Sequence, residues 1–149
     1  MNSIKIDPRF LCRQHLLGCH LEHHMFLGAL KKKRKLKGFF LNNCFEPQSL
    51  KTSHDAIALE MLHRLYNHKT PLFQEDVYEA IQYLTDEERT WCIDREASLK
   101  MLLMKCTKCG SRFNHYEAFD EAIDNMAENI RETIDNEIIQ SIVEECTIT

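Results

Sequence analysis

The sequence is poor in the residues that interrupt helices, since only four of its 149 residues are glycine and three are proline. This scarcity excludes a collagen-like chain, a disordered chain rich in proline and glycine, and a low-complexity linker. No run of about 18 apolar residues occurs, which excludes a transmembrane helix. Charged side chains from Lys5 to Arg13 interrupt the first 20 residues, so they contain no apolar signal-peptide core. We therefore expect a cytoplasmic protein with no membrane partner.

The seven cysteines are an odd number and accompany no secretory signal, which predicts reduced thiols, most of them buried. Cys106 and Cys109 have half of the spacing of a zinc ribbon, but no second C-x-x-C occurs. His115 and a remote Cys or His are the residues that would complete such a site. We expect free thiols in a turn that ends a helix, with Cys106 and Cys109 as the zinc candidates should a metal be bound.

Charge is distributed very unevenly along the chain. Residues 1–45 contain nine Lys and Arg against two acidic residues, a balance of +7, whereas residues 116–149 contain ten Asp and Glu against one Arg, a balance of −9. The intervening residues are nearly neutral. This polarity favours a polyanion as the partner of the basic end. The alternative is a basic patch that the acidic tail neutralises within the fold.

Helix signals recur along the chain while strand signals are poor, which predicts an all-α fold. Asp7-Pro8 is typical of a helix start, and apolar spacing extends this helix to about Lys33. Its predicted core stripe is Phe10, Leu17, Leu21 and Leu30, and a second stripe carries His15, Gly18, Cys19, Glu22 and Phe26. We expect a second helix at 47–67, with Leu50, Ile57, Met61, Leu62 and Leu65 on its core side. Three shorter helices are predicted after it: one at 75–84, one that starts at a Thr85–Glu88 capping box and runs through Trp91, and one from Asp94 to Met104.

The last predicted helix runs from Tyr116 to Cys146 and carries an apolar stripe at helical spacing. The stripe consists of Phe119, Ile123, Met126, Ile130, Ile134, Ile138 and Ile142. We expect residues 1–113 to form one helical domain and residues 114–149 an acidic helical extension. The extension is a possible surface for a protein partner or for self-association through residues 116–146.

Glu22 is the only carboxylate between Asp7 and Glu46, and it lies in the middle of the first helix. One interpretation is a solvated or ion-paired side chain. The other is a general acid/base or a group that stabilises a cationic intermediate, with Gly18 leaving room for a substrate. His20, His23 and His24 lack the H-E-x-x-H pattern of a metal site, so we interpret them as surface imidazoles or phosphate contacts.

The stretch from Gln14 to Glu22 (Gln-His-Leu-Leu-Gly-Cys-His-Leu-Glu), followed by the basic run, resembles the first helix of the pyrimidine-dimer DNA glycosylase family. That family comprises the phage-type UV-repair enzyme and its bacterial relatives. The resemblance covers residues 1–113. Segments similar to the short bacterial branch are Glu46-Pro47, Ser53-His54, Tyr66-Asn67-His68-Lys69-Thr70-Pro71-Leu72, and Ser98-Leu99 leading into Cys106-x-x-Cys109 and Arg112.

The resemblance implies a compact all-α domain that cleaves the glycosidic bond at a damaged pyrimidine and then nicks the strand as an abasic-site lyase, without a cofactor. It implies the α-amine of the chain as nucleophile, supplied by Met1 or Asn2, with Glu22 and His15 as the other catalytic residues. It also implies that the partner is double-stranded DNA and that the reacting nucleotide is flipped out of the duplex. A nucleoid-associated protein and a phage-encoded protein are both compatible with it. The DNA-binding candidates are Arg9, Arg13, Lys31, Lys32, Lys33, Arg34, Lys35, Lys37 and His54.

The sequence departs from the family beside the glutamate, where Leu21 and Met25 stand in place of arginines, and at its start, where Asn2 and Ser3 replace a threonine and an arginine. The lesion is therefore left open between a pyrimidine dimer and another damaged or modified base. Two alternatives remain. One is a non-catalytic DNA- or protein-binding module on the same fold, and the other is a zinc-stabilised nucleic-acid adaptor.

Overall fold

The structure, a computed structural model, describes residues 6–148, with side chains described as far as residue 144. Within residues 6–148 it contains seven α-helices and three short 3-10 helices and no strand, which confirms the predicted all-α class. None of these helices is both long enough and apolar enough to cross a bilayer. The α-helices are α1 (Arg13–Lys31), α2 (Lys37–Leu41), α3 (Leu50–His63), α4 (Gln74–Ala80), α5 (Asp86–Arg89), α6 (Arg95–Lys105) and α7 (Thr107–Ile148), and the 3-10 helices are Pro8–Phe10, Pro47–Ser49 and Ile81–Tyr83.

The chain divides into two units, Met1–Phe113 and Asn114–Thr149. The first unit contains two apolar clusters, one at the C-terminal half of α1 and one at its N-terminal half. One cluster is centred on Phe26 and Phe45, whose rings stack with centroids 4.4 Å apart. The other joins the first half of α1 to α3, α6 and the start of α7. Its fully buried members are Leu11, Leu16, Cys19, Ile57 and Cys109.

The first helix begins later than predicted. The Asp7 side chain accepts a hydrogen bond from the backbone N–H of Arg9, as a cap should, but it caps only the 3-10 turn Pro8–Phe10. Leu11 is extended, with ψ at 132°, and Cys12 then becomes the N-cap of α1. This second start places Cys12 and His15 at the N-terminus of the long helix.

The buried face of α1 also differs from the predicted stripe. Leu21 is 63% exposed, whereas His23 is 1% exposed. Two hydrogen bonds satisfy the His23 ring, so an imidazole occupies a position that hydropathy assigns to solvent. The buried residues of α1 are Leu16, Cys19, His23, Phe26, Leu27 and Leu30.

Helix α3 ends earlier than predicted, at His63. Leu65 lies just beyond this end with φ at +63° and a 92% exposed side chain, and Leu62 is 54% exposed. The prediction that these two leucines face the core is therefore wrong. Leu50, Ile57 and Met61 are buried as expected.

Local capping signals are confirmed. The side chain of Thr85 accepts a hydrogen bond from the backbone N–H of Glu88, and the Glu88 carboxylate accepts one from the backbone N–H of Thr85. Asp94 caps α6 through the N–H of Ala97. Residues 37–41, predicted as a connection, form the short helix α2.

The second unit is the C-terminal part of α7, and its predicted stripe lies on that helix with each member between 46% and 58% exposed. Helix α7 starts at Thr107, well before the predicted start at Tyr116. Cys109 is therefore inside a helix and not in a turn that ends one.

Candidate functional site

Glu22 is half-buried in the middle of α1, and Gly18 precedes it by one helical turn. Among the described residues, no atom outside the helix backbone lies within 4 Å of the place where a Gly18 Cβ would stand. Since residues four apart share a helix face, open space adjoins the Glu22 carboxylate on its N-terminal side. Leu21, next to Glu22 in the chain, and Met25, three residues after it, are 63% and 59% exposed. The face thus combines one carboxylate, a gap and two apolar side chains.

Four imidazoles form a group beside α1, which we call the imidazole cluster: His20, His24, His54 and His68. The ring centroids of His20 and His68 are 4.8 Å apart, and those of His20 and His54 are 5.1 Å apart. The Nε2 atom of His20 is buried without a hydrogen-bond partner among the described residues. Burial, followed by the neighbouring imidazoles, lowers the pKa of His20 to about 4. The ligand atoms of His20, His54 and His68 lie within 4.8 Å of one another, so these three residues are also a possible metal-binding group.

His54, a predicted DNA-binding residue, lies inside the imidazole cluster with 1% of its surface exposed. Its Nδ1 lies 3.0 Å from Oδ1 of Asp55, and its Nε2 lies 3.2 Å from the carbonyl oxygen of Thr70. A side chain this deeply buried presents no surface to a phosphate. The position of His54 therefore argues against a direct DNA contact.

His23 is buried between α1 and α3. Its Nδ1 lies 2.5 Å from the carbonyl oxygen of Cys19, and its Nε2 lies 2.8 Å from Oγ of Ser53. A neutral ring that donates at Nδ1 and accepts at Nε2 satisfies both contacts. Burial lowers the pKa of His23 to about 4, so the ring is neutral at pH 7.

The predicted phosphate-contacting residues after α1 are exposed. Lys31–Lys35 and Lys37 all present their side chains to solvent, and Lys31 Nζ lies 3.7 Å from Oδ2 of Asp76. Lys33, just beyond the end of α1, has φ at +53°, a left-handed conformation that does not continue the helix. We call residues 31–37 the basic segment.

The two remaining basic candidates lie near the start of α1. Arg9 is paired with Asp7, its Nη2 2.8 Å from Oδ2, and Arg13 lies over the Tyr66 ring at 5.3 Å from the centroid. Arg13 is exposed, whereas Arg9 is half-buried. Met1 and Asn2, the predicted nucleophile positions, lie outside the described residues.

His15, predicted as a catalytic residue, lies among three cysteines, and we call this group the thiol cluster: Cys12, His15, Cys106 and Cys109. The ligand atoms of the four residues lie within 4.8 Å of one another. Burial raises the pKa of the Cys109 thiol to about 12. Burial also opposes ionisation of Cys106, but hydrogen bonds from the backbone and thiol of Cys109 outweigh it and lower the pKa of Cys106.

The sequence prediction found only part of these two clusters. It placed His115 or a remote residue beside Cys106 and Cys109, whereas the structure brings Cys12 and His15 to them. The available signal was the shared spacing of two residues between Cys12 and His15 and between Cys106 and Cys109. The imidazole cluster carried no such signal, because His68 comes from a loop remote in sequence.

Residues 1–74 match the family model of pyrimidine dimer DNA glycosylases. Through these residues the chain belongs to the pyrimidine dimer DNA glycosylase family. The matched half of this glycosylase-family chain contains Glu22, the imidazole cluster and the basic segment, and it ends before Cys106. Membership implies DNA as the substrate. No curated protein and no solved structure matches the chain.

Proposed function

We propose that the protein is a DNA N-glycosylase with abasic-site lyase activity that acts on a damaged or modified pyrimidine in duplex DNA. The observation that carries this proposal is the family match over residues 1–74, a span that contains Glu22. The α-amine of residue 1 or 2 is the nucleophile, and Glu22 is the acid/base.

The α-amine suits this chemistry because its ordinary pKa of about 7.7–8.0 leaves part of it neutral near pH 7, unlike a lysine with a pKa of about 10.4. Its nitrogen attacks C1′ of the deoxyribose, and the bond from C1′ to the base breaks as the base leaves with a proton. The C1′–O4′ bond then breaks and O4′ takes up the second amine proton, which opens the sugar ring and gives an imine that carries positive charge when protonated. Abstraction of a C2′ proton then expels the 3′ phosphate and nicks the strand.

Glu22 is suited to two of these steps. A carboxylate beside C1′ stabilises the positive charge that develops on the sugar and on the imine. The same carboxylate accepts the C2′ proton in the elimination. The half-buried position of Glu22 and the open space beside Gly18 support this role, since a sugar needs to approach the helix closely there.

The basic segment and Arg13 are proposed to contact phosphates along the duplex. Their side chains are exposed, and cationic side chains supply most of the sequence-independent affinity for DNA. The nucleotide that reacts has to leave the base stack, and the apolar side chains of Leu21 and Met25 beside Glu22 are suited to contact the disturbed step.

Borohydride trapping tests the proposal. The full chain is incubated with an abasic duplex oligonucleotide and reduced, and we expect a covalent protein–DNA adduct. Glu22→Gln should lower its yield at least tenfold, whereas Glu79→Gln, an exposed carboxylate on α4, serves as matched control and should leave it unchanged. Absence of an adduct with the wild type, or equal yields for Glu22→Gln and wild type, would refute the proposal.

A second candidate is an interaction module in residues 116–146, because seven apolar side chains at spacings of three and four residues are exposed on this part of α7. A second copy of the same helix is the occupant that this spacing favours. Since acidic side chains dominate the helix, its self-association should strengthen as salt screens their repulsion. A mass by light scattering that stays monomeric at all salt concentrations would exclude this candidate.

A further inference from the structure

Two short motifs of the same spacing occupy equivalent helix positions. Cys12 is the N-cap of α1, and His15 lies in the first turn of that helix. Cys106 immediately precedes α7, and Cys109 lies in its first turn. In each pair a cysteine at the cap and a Cys or His three residues later point toward the same space. The two pairs are separated by more than 90 residues of sequence, so the fold, and not the local chain, brings them together.

All four ligand atoms lie within 4.8 Å of one another, and three of their separations are close to the edges of a tetrahedral metal site. The Nδ1 atom of His15 lies 3.3 Å from Sγ of Cys12 and 3.2 Å from Sγ of Cys109, and the Sγ atoms of Cys12 and Cys106 are 4.0 Å apart. A tetrahedron built on Zn–S bonds of about 2.3 Å and Zn–N bonds of about 2.0 Å has S–S edges of about 3.8 Å and S–N edges of about 3.5 Å. The observed separations differ from these by a few tenths of an ångström.

Backbone N–H groups donate to two of the sulfur atoms, and such donors stabilise a thiolate once a metal ion has replaced its proton. The backbone N–H of Cys12 donates to Sγ of Cys109 at 3.2 Å, and the N–H of Cys109 donates to Sγ of Cys106 at 3.4 Å. The partial positive charge at the N-termini of α1 and α7 adds to this effect. Cys12 and Cys109 are buried, while His15 and Cys106 are partly exposed, which leaves a route for an ion to enter.

We propose that Cys12, His15, Cys106 and Cys109 bind one Zn²⁺ in a closed tetrahedral site. Three thiolates and one imidazole are a typical ligand set of structural zinc, and hard cations such as Mg²⁺ avoid thiolates. With four protein ligands no position is left for water or substrate, so the ion is structural and not catalytic. It links the N-terminus of α1, the helix that carries Glu22, to the junction of α6 and α7.

Zinc content of the full chain tests the proposal. Protein purified under reducing conditions and dialysed against trace zinc should contain about one Zn²⁺ per chain by elemental analysis. The double variant Cys106→Ser, Cys109→Ser should retain less than a tenth of that amount. The matched control Cys44→Ser, Cys92→Ser changes two cysteines outside the cluster and should retain all of it.

Cobalt absorption on the wild type keeps the test decisive if the cluster variant fails to fold. Co²⁺ added to zinc-free protein should give strong visible d–d bands, the signature of tetrahedral sulfur-rich coordination, and Zn²⁺ should abolish them. Removal of Zn²⁺ by a chelator should also lower the melting temperature reversibly, because metal binding is coupled to folding.

Three outcomes would overturn the proposal. The first is a wild-type chain that binds neither Zn²⁺ nor tetrahedral Co²⁺. The second is a chain that is 2 Da lighter because two cluster thiols have formed a disulfide. The third is zinc that persists in the Cys106→Ser, Cys109→Ser variant but is absent from His68→Gln, which would place the ion in the imidazole cluster.

Discussion

Nδ1 of His15 lies 3.2 Å from Sγ of Cys109, although the two residues are 94 positions apart in the sequence. This contact joins the first turn of α1 to the first turn of α7. Arg64 also holds the segment before α1, because it donates to the carbonyl oxygens of Pro8 and Leu11. Since this segment leads from the proposed nucleophile to the helix of Glu22, both contacts bear on the chemistry.

Arg64 should position the N-terminal segment as well as stabilise the fold. Its Nη2 donates to the carbonyl oxygens of Pro8 and Leu11 at 3.1 and 2.7 Å, and its Nε donates to Oε1 of Glu60 at 2.8 Å. Both charged side chains are about one tenth exposed. Arg64→Met should lower the free energy of unfolding by about 2–4 kcal/mol, because the Pro8 and Leu11 carbonyl groups lose their donor and the buried Glu60 carboxylate keeps only Arg112, whose Nη2 lies 3.7 Å away.

Denaturant titration measures this destabilisation, and Arg89→Met is the matched control. Arg89 pairs with Asp86, whose side chain is 93% exposed, so its replacement should cost less than about 1 kcal/mol. Arg64→Met should also lower the yield of the borohydride-reduced adduct, because the N-terminal segment is no longer held in place. Arg64→Lys should recover part of the stability but a smaller part of the adduct yield, because an ammonium group cannot reproduce the planar set of donors. Equal stability of Arg64→Met and Arg89→Met would contradict the prediction.

Stability should fall on mild acidification because of His23. Its pKa in the folded state is about 4, below the ordinary value of 6.5, so the unfolded chain binds more protons between these two values. The contribution of His23 is therefore complete above pH 6.5 and is lost as the pH falls toward 4. Between pH 7 and pH 5 the free energy of unfolding should fall by about 1–2 kcal/mol because of His23.

Unfolding free energies measured at pH 7, 6 and 5 test this prediction. The variant His23→Gln should show a flatter pH dependence than the wild type. His63→Gln, an exposed histidine on α3, should leave the wild-type pH dependence intact. If His23→Gln and the wild type lose stability in parallel, another group is responsible.

Sequence signals over a few residues predicted the local structure, but they did not predict contacts between residues that are far apart in the chain. Thr85 and Asp94 cap helices as expected because capping depends on residues two or three positions away, whereas Asp7 caps only the 3-10 turn before α1. The buried face of α1 could not be found from hydropathy, because its burial of His23 depends on Ser53 from α3.

The same reason explains why the full set of proposed metal ligands was not predicted from the sequence. Each pair of thiol-cluster residues is only half of a site, and the spacing that the two pairs share does not show that Cys106 will pack against Cys12. Glu22 could be proposed as a catalytic residue because the family pattern that implies this role lies within one helix. Its surroundings were not, since the histidines beside α1 come from α1, α3 and the loop after α3.

The basic segment should control the salt dependence of DNA binding. Replacing Lys32 and Lys35 with Gln removes two exposed cations, and the slope of log K against log salt should become shallower by about 0.9 for each phosphate that is no longer neutralised. Lys100 and Lys105, exposed on α6, provide the control pair for the same substitution. Fluorescence anisotropy with an undamaged duplex measures both slopes. If the Lys32/Lys35 and Lys100/Lys105 substitutions change the slope equally, the basic segment has no special role in DNA binding.

The central claim is that the α-amine at the start of the chain attacks the sugar. Its most direct test is peptide mapping by mass spectrometry of the borohydride-reduced adduct formed with an abasic duplex. We predict that the sugar remnant is attached to the α-nitrogen of Met1, or of Asn2 if Met1 has been removed. Attachment to a lysine side chain, such as Lys5 or a residue of the basic segment, would contradict the account.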